Sequence, residues 1–135
     1  MTKNIIITGA SRGIGKAAVE YLTQYADGKI LAIARSKENL EKLKNSLNPN
    51  TQLLIYPFDL AKGDYDDLSR HIQANFSSID ILINNAGALS VKPFLDSTEE
   101  DYELQFNVNV KSVFKLSQLC IPLMKKGSHI VNISS

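Results

Sequence analysis

Cysteine is nearly absent: Cys120 stands alone among 135 residues. A single thiol excludes an internal disulfide and a cysteine-based zinc cage, and it fits a reducing compartment. An excess of one charge is also lacking. Fifteen Lys and Arg face fourteen Asp and Glu, a net charge of +1. So even a balance gives no overall basic field for nucleic acid or an anionic membrane, and any bound anion needs a local site. Long apolar runs are missing. Stretches such as Ile5 to Ile7 are far too short to cross a bilayer. Met1-Thr2-Lys3-Asn4 leads straight into a strand pattern, which leaves no room for a signal or transit peptide. The expectation is a soluble, cytoplasmic protein with no nucleic-acid or membrane partner. With 44% hydrophobic and 21% charged residues the chain has globular composition, and its length sets one domain.

Five short β-branched runs are present: Ile5 to Thr8, Ile30 to Ile33, Leu53 to Tyr56, Ile81 to Ile83 and Ile130 to Ile133. Most are apolar at successive positions, the pattern of strands buried on both faces of a parallel sheet. Helical spacing fills the intervals. Ile14, Ala18, Leu22 and Tyr25 share one face, as do Leu40, Leu43 and Leu47, and Tyr65, Leu68, Ile72 and Phe76. A fourth, longer helix is expected from about Thr98 to Lys126. Ser97 with Glu100 reads as its capping box, and Lys125-Lys126-Gly127 as its end, with Pro122 loosening the last turn. Strands alternating with helices predict an α/β fold, a doubly wound parallel sheet of five strands. Such folds usually carry six strands, so this pattern reads as truncated after the fifth, with carboxyl-terminal strands and helices missing.

Ligands of open α/β sheets bind beyond the carboxyl ends of the strands. The residues there are unusual. The first strand runs into Gly9-Ala10-Ser11-Arg12-Gly13-Ile14-Gly15, the second into Arg35, the third into Asp59, and the fourth into Asn84-Asn85-Ala86-Gly87. The glycine loop lies between a strand and an amphipathic helix, where free N–H groups and the helix dipole attract phosphate. Its spacing is G-x-x-x-G-x-G. A P-loop is excluded, because Ala10 stands where the first glycine belongs and Ala17 where the magnesium-binding hydroxyl belongs.

Thr8 to Gly15, together with Asn84 to Gly87, resembles the short-chain dehydrogenase/reductase family, and the resemblance runs the length of the chain. It implies a Rossmann-like, NAD(P)-binding domain over residues 1–135, with strand order 3-2-1-4-5. Twenty residues after Gly15 stands Arg35, where an acid would select NAD(H). Arg12 lies within the glycine loop, and two guanidinium groups can grip one phosphate. NADP(H) is therefore favoured over NAD(H) as cofactor.

The resemblance implies that Gly9, Ser11, Arg12, Gly13, Ile14 and Gly15 cradle the cofactor. Asp59 and Leu60 would border the adenine, although a plain turn aspartate explains Asp59 equally well. Asn85, Ala86 and Gly87 would line the cofactor and stabilise the sheet. It further implies hydride transfer between nicotinamide and a carbonyl or alcohol carbon, with a small ketone or 3-oxoacyl thioester as substrate. Asn109 matches the family asparagine, with Asn107 as alternative, and Ser135 the catalytic serine, with Ser134 as alternative. The family's Tyr-x-x-x-Lys pair, which follows the serine, is not placed on any of the five tyrosines. The chain alone is thus expected to be inactive, since a missing general acid costs about 10²–10⁴-fold. No metal site is expected from His71 and His129, and Cys120 reads as a core thiol. In the full enzyme the long fourth helix would pair subunits into a homodimer or homotetramer. The competing reading is a non-catalytic dinucleotide-binding or scaffold module.

Overall fold

The computed structural model describes residues 2–134. Five strands, β1 (Ile5–Thr8), β2 (Ile30–Ala34), β3 (Leu53–Pro57), β4 (Ile79–Asn84) and β5 (Met124–Asn132), form one sheet in the order β3-β2-β1-β4-β5. Every pairing is parallel. The strand order reverses between β1 and β4, which opens a crevice at their carboxyl ends. Helices α1 (Gly13–Tyr25) and α2 (Lys37–Ser46) and helices α3 (Tyr65–Asn75), α4 (Glu99–Phe106) and α5 (Ser112–Cys120) fill the intervals.

The alternating side chains of each strand feed two cores, one per face of the sheet. Ile5 and Ile7 of β1 pack with Val19, Ala32, Leu40 and Leu43 on the α1/α2 face. Ile6 packs with Leu31, Ile33, Leu68, Ile72, Leu116 and Cys120 on the α3/α5 face. β1 and β2 are buried at every position, as their unbroken apolar runs predict. The flanking strand β5 is mostly exposed. Burial leaves the Cys120 thiol in a core and pushes its pKa up to about 12.

Three expectations need correction. The face of α1 turned to the sheet carries Gly15 and Val19, not Ile14 and Tyr25, which are 67% and 66% exposed. The helix starts only at Gly13, so Ile14 lies in its first turn beside the crevice. The expected long helix is interrupted by a π turn at Asn107–Lys111 and closes in a 3₁₀ turn at Ile121–Leu123, where Pro122 sits. Lys125, Lys126 and Gly127 therefore do not cap a helix. They bulge out of β5, between Met124 paired with Ile79 and His129 paired with Ile81, and Gly127 supplies a φ of +93°. The Ser128 hydroxyl ties this bulge down by donating to the Ile79 carbonyl at 3.1 Å. Finally, the capping box is Thr98 with Asp101, one residue beyond Ser97 and Glu100. Both pairs fit the serine/threonine-to-acid spacing, and only the backbone path chooses between them.

Candidate functional site

A groove of about 600 Å³ runs along the carboxyl ends of β1, β2, β3 and β4. That volume suits a small-molecule or cofactor site. One wall is the glycine loop. Gly9 adopts φ +64° and Gly13 φ +56°, conformations that disfavour a side chain. A methyl group on Gly9 would sit 2.9 Å from the Ala86 Cα and from Asn85 Nδ2. One on Gly15 would collide with the Gly9 carbonyl oxygen. The loop thus packs against the 84–87 segment too closely for any residue but glycine at these two positions. At Gly13 the surrounding space is open, so its requirement is backbone conformation alone.

Thr8 holds the two segments together. Its buried hydroxyl accepts from the backbone N–H of Asn85 at 3.1 Å and of Ala86 at 3.0 Å. The Asn85 side chain returns the contact, donating to the carbonyls of Thr8 at 3.1 Å and Gly9 at 3.3 Å. Arg12 is the residue before α1, and no side chain caps that helix. Its first N–H groups are left for an external acceptor, and the helix dipole favours an anion there.

Gly9, Ser11, Arg12, Gly13, Ile14, Arg35, Asp59, Leu60, Asn85, Ala86 and Gly87 all line this one groove. Gly15 stands behind the loop, buried in α1. Asp59 makes the expected turn. Its carboxylate accepts from the Ala61 N–H at 2.8 Å, an Asx turn, while the residue also faces the groove. Leu60 is buried, and its carbonyl accepts from the Tyr65 hydroxyl at 2.8 Å. Gly87 has room for a methyl group, 3.6 Å from the Asn109 side-chain oxygen.

Asn109 lies in the π turn. Its side chain accepts from the Ala88 N–H and donates to the Ala88 carbonyl, both at 2.8 Å. Both polar atoms are therefore engaged, and the geometry makes Asn109 a clamp on the chain leaving β4. Ser135 lies outside the described residues, while Ser134 is exposed just beyond β5. The Ile133 N–H donates to the Asn84 carbonyl at 3.0 Å, which brings the chain to this edge of the sheet. Sequence reasoning missed Ser36, Asn39, Phe58 and Val108, which also line the groove. Ser36 was legible as the cap of α2, where it accepts from the Asn39 N–H. Val108 had no signal, since only the π turn points it inward. One of the five tyrosines does carry a lysine four residues on, Tyr25 with Lys29. That pair is remote from the groove: Tyr25 packs on Tyr21, and Lys29 donates to the Asn75 carbonyl.

A family model described as short chain dehydrogenase matches residues 3–135. The chain belongs to this family. Carbonyl reductase [NADPH] 2 of Sus scrofa is 33% identical over 133 residues, which cover 96% of this chain and 52% of that protein. A short chain dehydrogenase of Shigella flexneri 2a str. 301, solved in complex with NADP, superposes with a TM-score of 0.88 at 27% identity. That match covers 98% of this chain and 59% of the solved one. One from Escherichia coli CFT073, complexed with NADPH, gives a TM-score of 0.87 at 28% identity, covering 98% and 58%. The chain spans about half the length of the curated relatives it matches. The short-chain dehydrogenase fold accounts for the observed 3-2-1-4-5 sheet, a Rossmann-like arrangement. Among the described residues, no helix is long and apolar enough to cross a membrane.

Proposed function

We propose that residues 1–135 form the NADP(H)-binding domain of an oxidoreductase that transfers hydride between nicotinamide and a carbonyl or alcohol carbon. The observation that carries this reading is one groove lined by both Arg12 and Arg35, with the uncapped start of α1 beside it. The uncapped helix end suits a pyrophosphate, and the two guanidiniums suit a 2′-phosphate. The glycine cradle fits a flat, closely approaching phosphate chain, because it leaves no Cβ in the way at Gly9. The related NADP and NADPH complexes support the same choice. When bound, the cofactor supplies the hydride.

The protein residues hold and orient. Asn85 and Thr8 fix the glycine loop, Asp59 and Leu60 border the adenine, and Asn109 fixes the rim at Ala88. Ser135 orients the substrate oxygen, a small ketone or 3-oxoacyl thioester being the expected class. Among the described residues no tyrosine lines the groove, which supports the reading that the chain alone binds cofactor and turns over no substrate. That same observation favours the second reading, a non-catalytic dinucleotide-binding module. The intact mass of the protein from its native source separates them: 14.9 kDa supports the module, and a larger mass supports the enzyme.

The outer face of α4 and α5 pairs subunits into a homodimer or homotetramer. Tyr102, Phe106, Val110 and Phe114 form an exposed apolar stripe there. The cofactor reading is tested by fluorescence titration of the 135-residue chain with NADPH and NADH. NADPH should bind at least tenfold more tightly, and Arg35→Asp should erase the preference. Equal affinity of the unaltered chain for the two, or binding of neither, would overturn it.

A further inference from the structure

One side chain that the sequence reading placed only in the core of α3 reaches the groove through a second residue. Tyr65 is the first residue of α3. Its hydroxyl turns back and donates to the Leu60 carbonyl at 2.8 Å. Its ring meets that of Phe58 edge-on, with centroids 5.2 Å apart and planes at 78°. The Lys115 ammonium of α5 lies 5.9 Å from the same ring, in cation–π range. Phe58, Asp59 and Leu60 are the groove's lining at the end of β3.

The turn that follows is held mainly through Asp59. The Asp59 carbonyl accepts from Gly63 and Lys62, and its carboxylate accepts from Ala61. Leu60 is next in the chain, and its carbonyl is fixed from outside the turn by Tyr65. Burial pushes the Tyr65 hydroxyl up to about 12, and the nearby Asp59 charge adds to the shift. The phenol therefore stays a donor at every physiological pH.

We infer that Tyr65 is a positioning residue for the base-binding end of the groove, setting Asp59 and Leu60 through its hydroxyl and Phe58 through its ring. The inference rests on the proposed cofactor reading, and it adds the residue that tunes recognition of the adenine amino group. Tyr65→Phe removes only the hydroxyl and keeps the ring contacts. The Leu60 carbonyl then loses its partner, and Asp59 loses the fixed height from which it accepts from the base.

The test is a titration of the 135-residue chain and its Y65F variant with NADPH and with the hypoxanthine analogue of NADPH, which lacks the amino group. The unaltered chain should prefer NADPH. Y65F should weaken NADPH binding about fivefold, the worth of one net hydrogen bond, and bind the analogue almost unchanged. A merely structural role would weaken both ligands together and leave their ratio intact. An unchanged ratio in Y65F, with NADPH still preferred, overturns this inference and leaves the cofactor reading standing. Binding of neither ligand by the unaltered chain overturns both. Tyr65→Leu, which also removes the ring, should narrow the ratio further, and a ratio equal to that of the unaltered chain would again refute the inference.

Discussion

Replacing Gly15 with alanine tests how the groove is built. Its φ is ordinary, so the cost is purely steric. The new methyl carbon would collide with the Gly9 carbonyl oxygen and sit 2.5 Å from Asn85 Nδ2, against a practical floor of 3.0 Å. Neither neighbour can swing aside. The carbonyl is backbone, and the amide already donates to Thr8 and Gly9. Either α1 lifts off or the Asn85 clamp breaks. Overpacking of this kind costs about 2–3 kcal/mol, a Tm lower by about 10 °C in a domain this size. Gly13→Ala is the matched control. Nothing lies within 4 Å of its added carbon, and the penalty is only the left-handed backbone, about 1–2 kcal/mol. Thermal melts and NADPH titrations of both variants should show G15A less stable and without measurable binding, and G13A milder in both. A G15A protein as stable as the parent would refute the packing argument, and so would one that binds NADPH like the parent.

Other consequences follow from the same contacts. The Asp101 carboxyl is held well below the usual carboxylate range by Lys92, with the Thr98 N–H and the Ser90 and Thr98 hydroxyls assisting. Its contribution to stability is therefore complete above the unfolded value near about pH 4 and is lost as pH falls through the lower folded value. Denaturant midpoints measured down the acid limb should lose part of their pH dependence in Asp101→Asn. Cys120, buried and with its thiol raised to about 12, should react with a disulfide reagent at pH 8 only as fast as the domain opens. Labelling faster than unfolding would contradict its place in the core. Leu116→Ala empties a fully buried site on the α3/α5 face, away from the groove lining, and should cost about 2–5 kcal/mol in chemical denaturation. NADPH affinity should stay within twofold of the parent.

How much was legible in the residues follows from how local each signal is. The strands of the sheet centre announce themselves, because Ile5 to Thr8 and Ile30 to Ala34 are buried on both faces and carry one polar side chain, Thr8 at the carboxyl end of β1. The glycine loop and Asn85 were legible because conformation and close packing there admit few side chains. Element ends were harder. Lys125-Lys126-Gly127 has the composition of a helix terminus, and nothing local reveals that β4 pairs with Met124 before the bulge and His129 after it. Ile14 looked like core because its spacing matches Ala18 and Leu22, yet it falls in the first turn, beyond the edge of the sheet. Asn109 stands out by motif alone. Its engagement with Ala88 depends on a π turn that no periodicity announces.

That turn also sets the phase of a surface. Tyr102, Phe106, Val110 and Phe114 recur every four residues. On an unbroken α-helix, each such step drifts by about 40° around the axis, so the fourth residue would point well away from the first. The wider turn at Asn107–Lys111 rotates less per residue and gives back much of that drift. The four side chains therefore stay in line along one flank. Straightening the turn into regular α-helix with every residue kept would swing Phe114 out of the row and turn Asn109 away from Ala88. One widened turn thus couples the alignment of an outer flank to the rim of an inner groove.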